Sequence, residues 1–474
     1  MWKEFLNSFN AILTVINDFI YGKFLIILLI AVGLYFTIRT LAAHIFLFPD
    51  AFKVLKEKSG KGSISSFQAL MIATASRVGT GNIAGVTTAI VTGGAGAVFW
   101  MWIMAIIGSA SALVESTLAQ VYKEKDGTIY KGGPAYYIEK ALGMRWLGII
   151  FSVLLILTFA FGFNGLQSHT LASSFKLYFS DFHDGYIPLI IGVLVAAFSA
   201  FMFFGSSNII GKVSSVIVPV MAVLYIGVGI VILFMNLGKL GDVFGMIFKD
   251  AFDFKAIFGG FTGSCMVVGI KRGLFSNEAG MGSAPNAAAA AEVSHPVKQG
   301  MVQVFSVFID TIIICSTTAF MVLLAGPLGA TDDAGKLIDG IPFVQLALDS
   351  QFGHMGIYFI TVCIVLFTSS SIIGNYFYAE FNIKFISKNP VFMLCFRIFA
   401  VITVFLGAQM DFSTSWAIAD ILMGGMATVN CIAMVLLGGI AVKVIQDYKE
   451  QKVQGLNPVF KAEKLGITNT ECWK

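Results

Sequence analysis

Charged residues are scarce in this sequence of 474 residues, at 12% against roughly a quarter in a typical soluble domain. Histidine is rarer still, with five scattered residues, and the six cysteines form no CxxC pair. These shortages argue against a histidine metal site, a zinc knuckle and a disulfide framework. A formal net charge of only +4, with the basic residues scattered between apolar runs, also argues against a nucleic-acid-binding protein.

Apolar residues are abundant instead, at 57% of the chain, and the mean hydropathy is +0.84. A soluble fold of this length has too little interior to bury so much apolar surface. The composition therefore predicts an all-α polytopic membrane protein whose surroundings are a lipid bilayer. The 49 glycines suit such a protein, because membrane helices use small residues for close packing.

Windows of about 20 apolar residues predict eleven membrane spans. The first is long and has no small-residue cleavage site, so it is interpreted as an anchor helix rather than a signal peptide. The spans lie near 21–46, 65–92, 94–121, 146–175, 186–207, 211–236, 256–291, 298–326, 355–383, 391–409 and 415–445.

The distribution of lysine and arginine predicts the orientation of the chain. Of the 31 basic residues, 21 lie in the loops that follow the odd-numbered spans or in the C-terminal tail, and seven lie on the opposite side. Because basic loops stay in the cytoplasm, we expect the N-terminus outside and the C-terminus inside. A plasma-membrane location follows for a chain with no long segments outside the membrane.

Two spans are interrupted by glycine and polar residues, at Arg77–Gly85 and at Gly273–Asn286. Unwound backbone is tolerated at membrane depth only where it lines a polar cavity or is buried in protein. The interruptions are five spans apart and run in opposite directions through the membrane. This pattern is typical of inverted repeats in secondary transporters, with the binding site at the midplane.

Three segments resemble the alanine or glycine:cation symporter family: Ser76–Val86 (SRVGTGNIAGV), Gly132–Lys140 (GGPAYYIEK) and Gly269–Asn286 (GIKRGLFSNEAGMGSAPN). The likeness extends from about Phe67 to Lys443. It implies a leucine-transporter-type fold of 5+5 inverted repeats, preceded by one extra helix. It also implies sodium-coupled uptake of a small neutral amino acid, alanine or glycine.

The resemblance implies that a substrate meets both breaks and one side chain from the fourth span. At the second break, backbone groups and an aromatic lid are expected to contact the ligand. The implied substrate-binding residues are Arg77, Thr80, Gly81, Asn82, Gln167, Phe275, Ser276, Asn277 and Glu278.

For the cation, the resemblance implies the backbone carbonyls of Ala75 and Val78 with two hydroxyls from the run 368–371. Gly374 just after this run favours Ser370 and Ser371 as the pair. Oxygen ligands without a carboxylate suit a weakly held monovalent ion, here sodium.

The sequence departs from the family pattern at two positions: Asn375 stands where a tryptophan is expected, and Arg77 stands where some relatives have a small hydroxyl residue. Asn164, like Gln167, is an amide on an otherwise apolar helix and is a further pocket candidate, because buried amides need partners.

Several ionisable residues within the spans have two interpretations each. Arg77 pairs either with a substrate carboxylate or with Glu278, which otherwise accepts backbone N–H bonds in its break. Lys271 and Arg272 either cap a half-helix or face the outer vestibule. Glu115, Asp310 and Asp420 are expected to satisfy neighbouring helices rather than relay protons.

The loop 327–353 is either an outer lid helix or a plain surface loop.

The sequence thus predicts a sodium-coupled symporter that works by alternating access. A proton-coupled transporter of the same fold, with Glu278 or Asp310 as carrier, is the alternative, and a passive channel is a more distant one. An enzyme is not expected, because no nucleophile lies beside a base. Both alanine and glycine remain candidates, and the oligomeric state is open.

The predicted divisions follow the repeats. They are residues 1–62 for the N-terminal helix and its linker, 63–238 for the first repeat, 239–445 for the second repeat, and 446–474 for a cytoplasmic tail.

Overall fold

The computed structural model describes residues 2–473 apart from 58, 61, 62, 128, 180, 181, 183–185, 206, 254–263, 332–334 and 336. Long helices make up most of this part of the chain. The strands within it are β1 (Glu124–Asp126) and β2 (Ile129–Lys131), which form one antiparallel hairpin. The expected all-α architecture is confirmed.

The helices of the first half begin with a pair joined through a π-helical turn at Ile20–Phe24. Two further π-helical segments, Gly81–Gly85 and Leu157–Phe163, lie before α6 and α10. The helices are α1 (Trp2–Phe19), α2 (Leu25–Arg39), α3 (Ala43–Phe46), α4 (Asp50–Val54), α5 (Ser66–Arg77), α6 (Val86–Gly93), α7 (Gly96–Val121), α8 (Pro134–Leu142), α9 (Arg145–Ile156), α10 (Asn164–Ser173), α11 (Ile187–Phe203) and α12 (Ser207–Met235).

The second half contains a broken helix, α14 and α15, and a helix with a π-helical centre at Phe308–Cys315 that joins α16 to α17. Short 3-10 turns lie at Lys176–Tyr178, Leu237–Lys239 and Glu463–Leu465. The helices are α13 (Leu240–Ala251), α14 (Cys265–Asn277), α15 (Ala284–Ala290), α16 (Pro296–Val307), α17 (Ser316–Ala325), α18 (Gly340–Phe352), α19 (His354–Ile386), α20 (Pro390–Gly407) and α21 (Phe412–Val453).

Eight helical segments among the described residues are long and apolar enough to cross a membrane. The shorter apolar helix α11 and the two broken helices supply further crossings, which is consistent with the eleven predicted spans. The start of the seventh predicted span, 256–263, lies outside the described residues.

The predicted boundaries of the first span were wrong. Helix runs from Trp2 to Arg39, and the chain then turns through Leu41 and Ala42, whose φ angles are +51° and +50°. The hydropathy window extended past this turn because the short helix α3 is also apolar.

Helix α5 begins at a capping box and ends at the first break. Ser65 Oγ accepts a hydrogen bond from Gln68 N, and Gln68 Oε1 accepts one from Ser65 N. The helix stops because Val78 adopts an extended conformation, with φ −80° and ψ 92°. Helical structure resumes at Gly81.

Helix α14 also begins at a serine N-cap and ends at a break, here the second one. Its N-cap, Ser264, accepts a hydrogen bond from Val267 N. The helix ends where Glu278 adopts a left-handed conformation with φ +54°, and α15 begins six residues later at Ala284. Such a φ is uncommon for a residue other than glycine, and it occurs most often at functional or strained sites.

The two broken helices lie at the centre of the bundle. Helix α5 packs against α12 and α19, and α14 packs against α6 and α7. The N-terminal helices α1 and α2 lie outside this centre, against α7 and α21. The loop 327–353 contains α18, which packs against α17 and α19 and reaches the first break. Of the two alternatives left open by the sequence, a helix and a plain surface loop, the structure shows a helix.

Residues 454–473 fold back over one end of the bundle, which we call the tail face. Trp473 Nε1 donates to Gln120 O at 2.7 Å, and Lys123 Nζ donates to Ala291 O at 2.9 Å. Lys123 also lies over the rings of Tyr130 and Trp473. The tail therefore braces the end of α7 and the residue that follows α15.

The close approach of α19 to α5 depends on Gly374. A methyl group there would lie 2.6 Å from Ser76 N, so the helices would have to separate. We expect Gly374→Ala to destabilise the protein by about 1–3 kcal/mol. Gly227→Ala is the matched control, since its helix position in α12 has no neighbour within 4 Å. Thermal unfolding in detergent micelles checks this prediction, and equal midpoints for the two variants would contradict it.

Candidate functional site

The first break leaves two backbone carbonyls without their helical donors. In a continuous helix Gly79 N–H would donate to Ala75 O. Instead it donates to Asn82 Oδ1 at 2.9 Å, and Asn82 N donates to Gly79 O rather than to Val78 O. The Asn82 side chain therefore holds the break open and frees both predicted cation-binding carbonyls.

Helix α19 brings hydroxyls to these carbonyls. Ser371 Oγ donates to Val78 O at 3.2 Å. A methyl group at Gly79 would overlap Ser371 Oγ and lie 2.8 Å from Gln167 Nε2, so this approach requires glycine. The structure thus places Ser371 beside the break, as the motif implied.

The Ser370 side chain, unlike that of Ser371, is turned away from the first break. Its hydroxyl donates to Phe367 O in its own helix at 2.9 Å and lies 3.4 Å from Met221 Sδ of α12. It makes no hydrogen bond to Ala75 or Val78 in the described structure. The structure therefore joins Ser370 to its own helix and to α12 rather than to the first break.

Gln167 contacts the other end of the first break. Its Oε1 accepts hydrogen bonds from Thr80 N at 3.1 Å and from Thr80 Oγ1 at 2.6 Å. The α10 helix positions this amide, and the preceding π-helical segment carries Phe163 toward the break. Gln167 and Thr80 are therefore brought together, as expected.

An aromatic stack covers Gly81. A methyl group at Gly81 would lie 2.7 Å from Phe275 Cδ1, so the ring rests directly on this glycine. The Phe275 ring lies 4.6 Å from Phe163 and 4.8 Å from Trp416 between ring centroids. Trp416 in turn lies 3.9 Å below the guanidinium of Arg272. The sequence predicted Phe275 as a lid but not Trp416.

Asn82 and Ser276 meet at a buried carboxylate. Asn82 Nδ2 donates to Asp310 Oδ1 at 2.6 Å, and Ser276 Oγ donates to Asp310 Oδ2 at 2.7 Å. Asn82 Nδ2 also lies 3.0 Å from Ser276 Oγ. Asp310 belongs to the π-helical segment between α16 and α17, so three elements converge on it. It satisfies neighbouring helices, as expected.

The contacts of Glu278 and Arg77 at the second break differ from those expected from the sequence. Glu278 accepts hydrogen bonds from the hydroxyls of Ser76 at 3.0 Å and Ser283 at 2.6 Å, and not from backbone N–H groups. Arg77 does not pair with it among the described residues. Its Nη1 donates to Gln303 Oε1 at 3.3 Å, and Nε and Nη2 have no hydrogen-bond partner there. The hydroxyls make an ion pair unnecessary for holding Glu278.

Glu115 of α7, rather than Glu278, accepts the backbone N–H hydrogen bonds of the second break. Its carboxylate accepts hydrogen bonds from Gly280 N at 3.2 Å and from Gly282 N at 3.1 Å. Asn430 Nδ2 donates to it at 2.7 Å. Both glycines have positive φ, which suits the unwound chain. Glu115 therefore satisfies neighbouring elements, as predicted, but its partner is the break itself.

Asn277 is turned toward its own backbone, since its Oδ1 accepts from Ala279 N at 3.0 Å. Phe275, Ser276 and Glu278 all contact residues of the first break, whereas Asn277 makes no hydrogen bond to that break among the described residues.

Lys271 and Arg272 do not cap a half-helix. They form ion pairs with Asp420 of α21, at 2.7 Å and 3.1 Å. Lys271 Nζ also donates to Asn17 Oδ1, and Tyr21 Oη donates to Asp420 O. The extra N-terminal helix is thereby joined to the end of the aromatic stack.

We expect Glu115→Ala to unfold at a lower temperature than the wild type. The substitution strands two buried N–H groups, each at a cost of about 1–3 kcal/mol. Glu115→Gln keeps an acceptor and should lose less. Thermal unfolding in micelles provides the measurement, and a wild-type midpoint for Glu115→Ala would show that the break is held elsewhere.

The solved structure of MhsT in complex with L-phenylalanine superimposes with a TM-score of 0.56 at 14% identity, over 81% of this chain and 99% of that one. This likeness shows the fold, which is the leucine-transporter type with inverted repeats. The architecture expected from the sequence is confirmed.

Two curated relatives come from Bacillus subtilis (strain 168). The amino-acid carrier protein AlsT is 45% identical, over 98% of this chain and 98% of its own. The probable sodium/glutamine symporter GlnT is 44% identical, over 98% of this chain and 95% of its own.

A model of the sodium:alanine symporter family matches residues 6–462, which is nearly the whole chain. The match supports a multi-pass membrane transporter that couples amino-acid transport to a cation. The chain belongs to the sodium:alanine symporter family.

Proposed function

We propose that this protein imports alanine or glycine together with sodium. The observation that carries the proposal is the pair of freed carbonyls, Ala75 O and Val78 O, the second of which accepts a hydrogen bond from the Ser371 hydroxyl. Neutral oxygen ligands of this kind suit a monovalent cation that must be released after each cycle. The sodium:alanine symporter family, and the name of its relative GlnT as a probable sodium/glutamine symporter, support sodium as that cation.

In this proposal sodium is bound by Ala75 O, Val78 O, Ser370 Oγ and Ser371 Oγ. The Ser370 hydroxyl would have to leave Phe367 O, to which it donates, and turn its oxygen toward the ion. The ion would join the unwound end of α5 to α19. Sodium would therefore stabilise the arrangement of the first break in which the substrate binds.

The substrate carboxylate is assigned to the start of the helical segment after the first break, which runs from Gly81 into α6. N–H groups at Thr80 and Gly81 lie at a helix N-terminus, where the dipole and unpaired donors favour an anion. Thr80 N and Gln167 Oε1 bond to each other, and a carboxylate would replace the glutamine as the acceptor. Asn82 and Ser276 complete the polar side of the site. Phe275 closes over Gly81 and restricts the substrate to a small side chain.

Arg77, Asn277 and Glu278 act in this proposal as supports of the breaks. Arg77 is buried in the last turn of α5 and donates to Gln303 of α16. Glu278 links Ser76 at the first break to Ser283 at the second. Their contribution to transport would be to keep both unwound segments in register.

We assign the tail face to the cytoplasm, with the N-terminus outside, because 21 of the 31 lysines and arginines lie toward that side in the loop order. The repeats then correspond to 63–238 and 239–445. Alternating access would proceed by movement of one set of helices against the other around the fixed site.

A proton-coupled symporter is the second candidate. Glu278 and Asp310 are fully buried, and their hydrogen-bond partners are hydroxyls and an amide rather than cationic side chains. A buried carboxylate of this kind can carry a proton. A passive channel is distinguished from both by its inability to concentrate alanine.

Uptake of labelled alanine into proteoliposomes tests the function. An inward sodium gradient should drive accumulation, and choline in place of sodium should abolish it. Accumulation in choline under a proton gradient would instead favour the second candidate, and Glu278→Gln should then remove the coupling. Equilibration without accumulation would favour a channel.

Ser371→Ala tests the cation site. Loss of this oxygen should raise the sodium concentration for half-maximal uptake by about tenfold or more, because a missing ligand weakens metal binding. Ser369→Ala is the matched control, since Ser369 lies on the same helix and is partly exposed. Equal sodium dependence in the two variants would refute the assignment of Ser371.

A further inference from the structure

Two buried amides form a layer of the site directly beneath the break. Asn164 precedes Gln167 by three residues in α10, and Asn375 follows Ser371 by four residues in α19. Residues at these spacings lie on the same face of a helix. Asn375 Nδ2 donates to Asn164 Oδ1 at 3.0 Å, and both residues are fully buried. This amide pair therefore lies one turn closer to the tail face than Gln167 and Ser371.

The amide pair is connected to both breaks through one hydroxyl. Ser76 Oγ lies 2.7 Å from Asn375 Oδ1 and 3.0 Å from Glu278 Oε1. Ser76 is in the last turn before the first break, and Glu278 is the first residue of the second. The hydrogen bonds thus run from Asn164 through Asn375 and Ser76 to Glu278.

One polar atom of Asn164 remains without a partner. As drawn, Asn164 Nδ2 has no hydrogen-bond partner among the described residues. The Ser76 hydroxyl has a single hydrogen and cannot donate to both of its neighbours. Rotation of both amides by 180° lets Asn164 donate to Asn375, Asn375 to Ser76, and Ser76 to Glu278. Asn164 then has an unused carbonyl oxygen in place of the unused amino group.

A buried amide atom that lacks a partner in either orientation points to a ligand that supplies one. At the break itself the covering residues are apolar, since the Phe275 ring rests on Gly81 and lies 4.6 Å from the Phe163 ring. A substrate held by the N–H groups of the break would have this apolar lid on one side and the amide pair on the other.

We propose that Asn164 and Asn375 form a polar subsite for the substrate side chain. The subsite would favour a short side chain whose tip both donates and accepts hydrogen bonds, namely a hydroxyl or a carboxamide. Such a tip pairs with the free atom of Asn164 in either amide orientation, whereas the methyl group of alanine leaves it unpaired. This inference rests on the proposed amino-acid transport and names the side-chain class that it selects.

Competition against labelled alanine in proteoliposomes tests the subsite. Serine is compared with α-aminobutyrate, which has a methyl group in place of the hydroxyl, and asparagine is compared with leucine, which has the same branched shape. We expect each polar competitor to inhibit at about tenfold lower concentration than its apolar partner, because one buried hydrogen bond is gained. An advantage for serine alone identifies a hydroxyl subsite, and an advantage for asparagine identifies a carboxamide subsite.

Asn375→Leu and Asn164→Leu should each reduce the polar advantage to within about twofold. The readout is the ratio between matched competitors, which a general loss of folded protein does not change. Gln409→Leu is the control, because this exposed amide bonds only to Pro188 O among the described residues and should leave the ratio unchanged.

Equal inhibition by polar and apolar competitors in the wild type, or no inhibition by any of the four, would overturn the subsite while leaving alanine transport intact. A ratio that survives both asparagine substitutions would also overturn it. Absence of alanine uptake under every gradient would contradict the proposed function itself, so the two failures are distinguishable.

Discussion

An unwound peptide at membrane depth must find partners for its N–H and C=O groups without water, and this requirement organises the centre of the molecule. Each break has its own side-chain partner. Asn82 accepts from the first break at Gly79 N, and Glu115 accepts from the second break at Gly280 N and Gly282 N. Further buried polar residues hold these two in place, since Asp310 accepts from Asn82 and Asn430 donates to Glu115.

The N–H and C=O groups of the first break are satisfied unevenly, and the proposed function depends on that difference. N–H groups at both breaks receive strong side-chain acceptors, whereas Val78 O receives only the Ser371 hydroxyl at 3.2 Å. In the proposed site, a cation would take the place of this hydroxyl hydrogen bond. The same unwound segment would then offer its carbonyls to the cation and its N–H groups to a carboxylate.

The positions of both breaks were predictable from the sequence because glycine and polar residues interrupt apolar runs there. The resemblance to the symporter family, rather than any local pattern, assigned Gln167 and Thr80 to one site and Ser371 and Val78 to another. The role of Glu115 was harder to find, since its glycine partners lie 165 and 167 residues away. Trp416 lies 141 residues after Phe275, so no local motif joins the two rings, and hydropathy cannot detect the turn that ends α2.

The brace on the tail face bears on the order in which the protein is made. Trp473 and Gln120 are 353 residues apart in sequence, so their hydrogen bond cannot form until every helix from α8 to α21 has been synthesised. Until then the end of α7 lacks the tail as a packing partner. The tail face is therefore closed by a contact of very long sequence separation, which is the kind that forms late in folding.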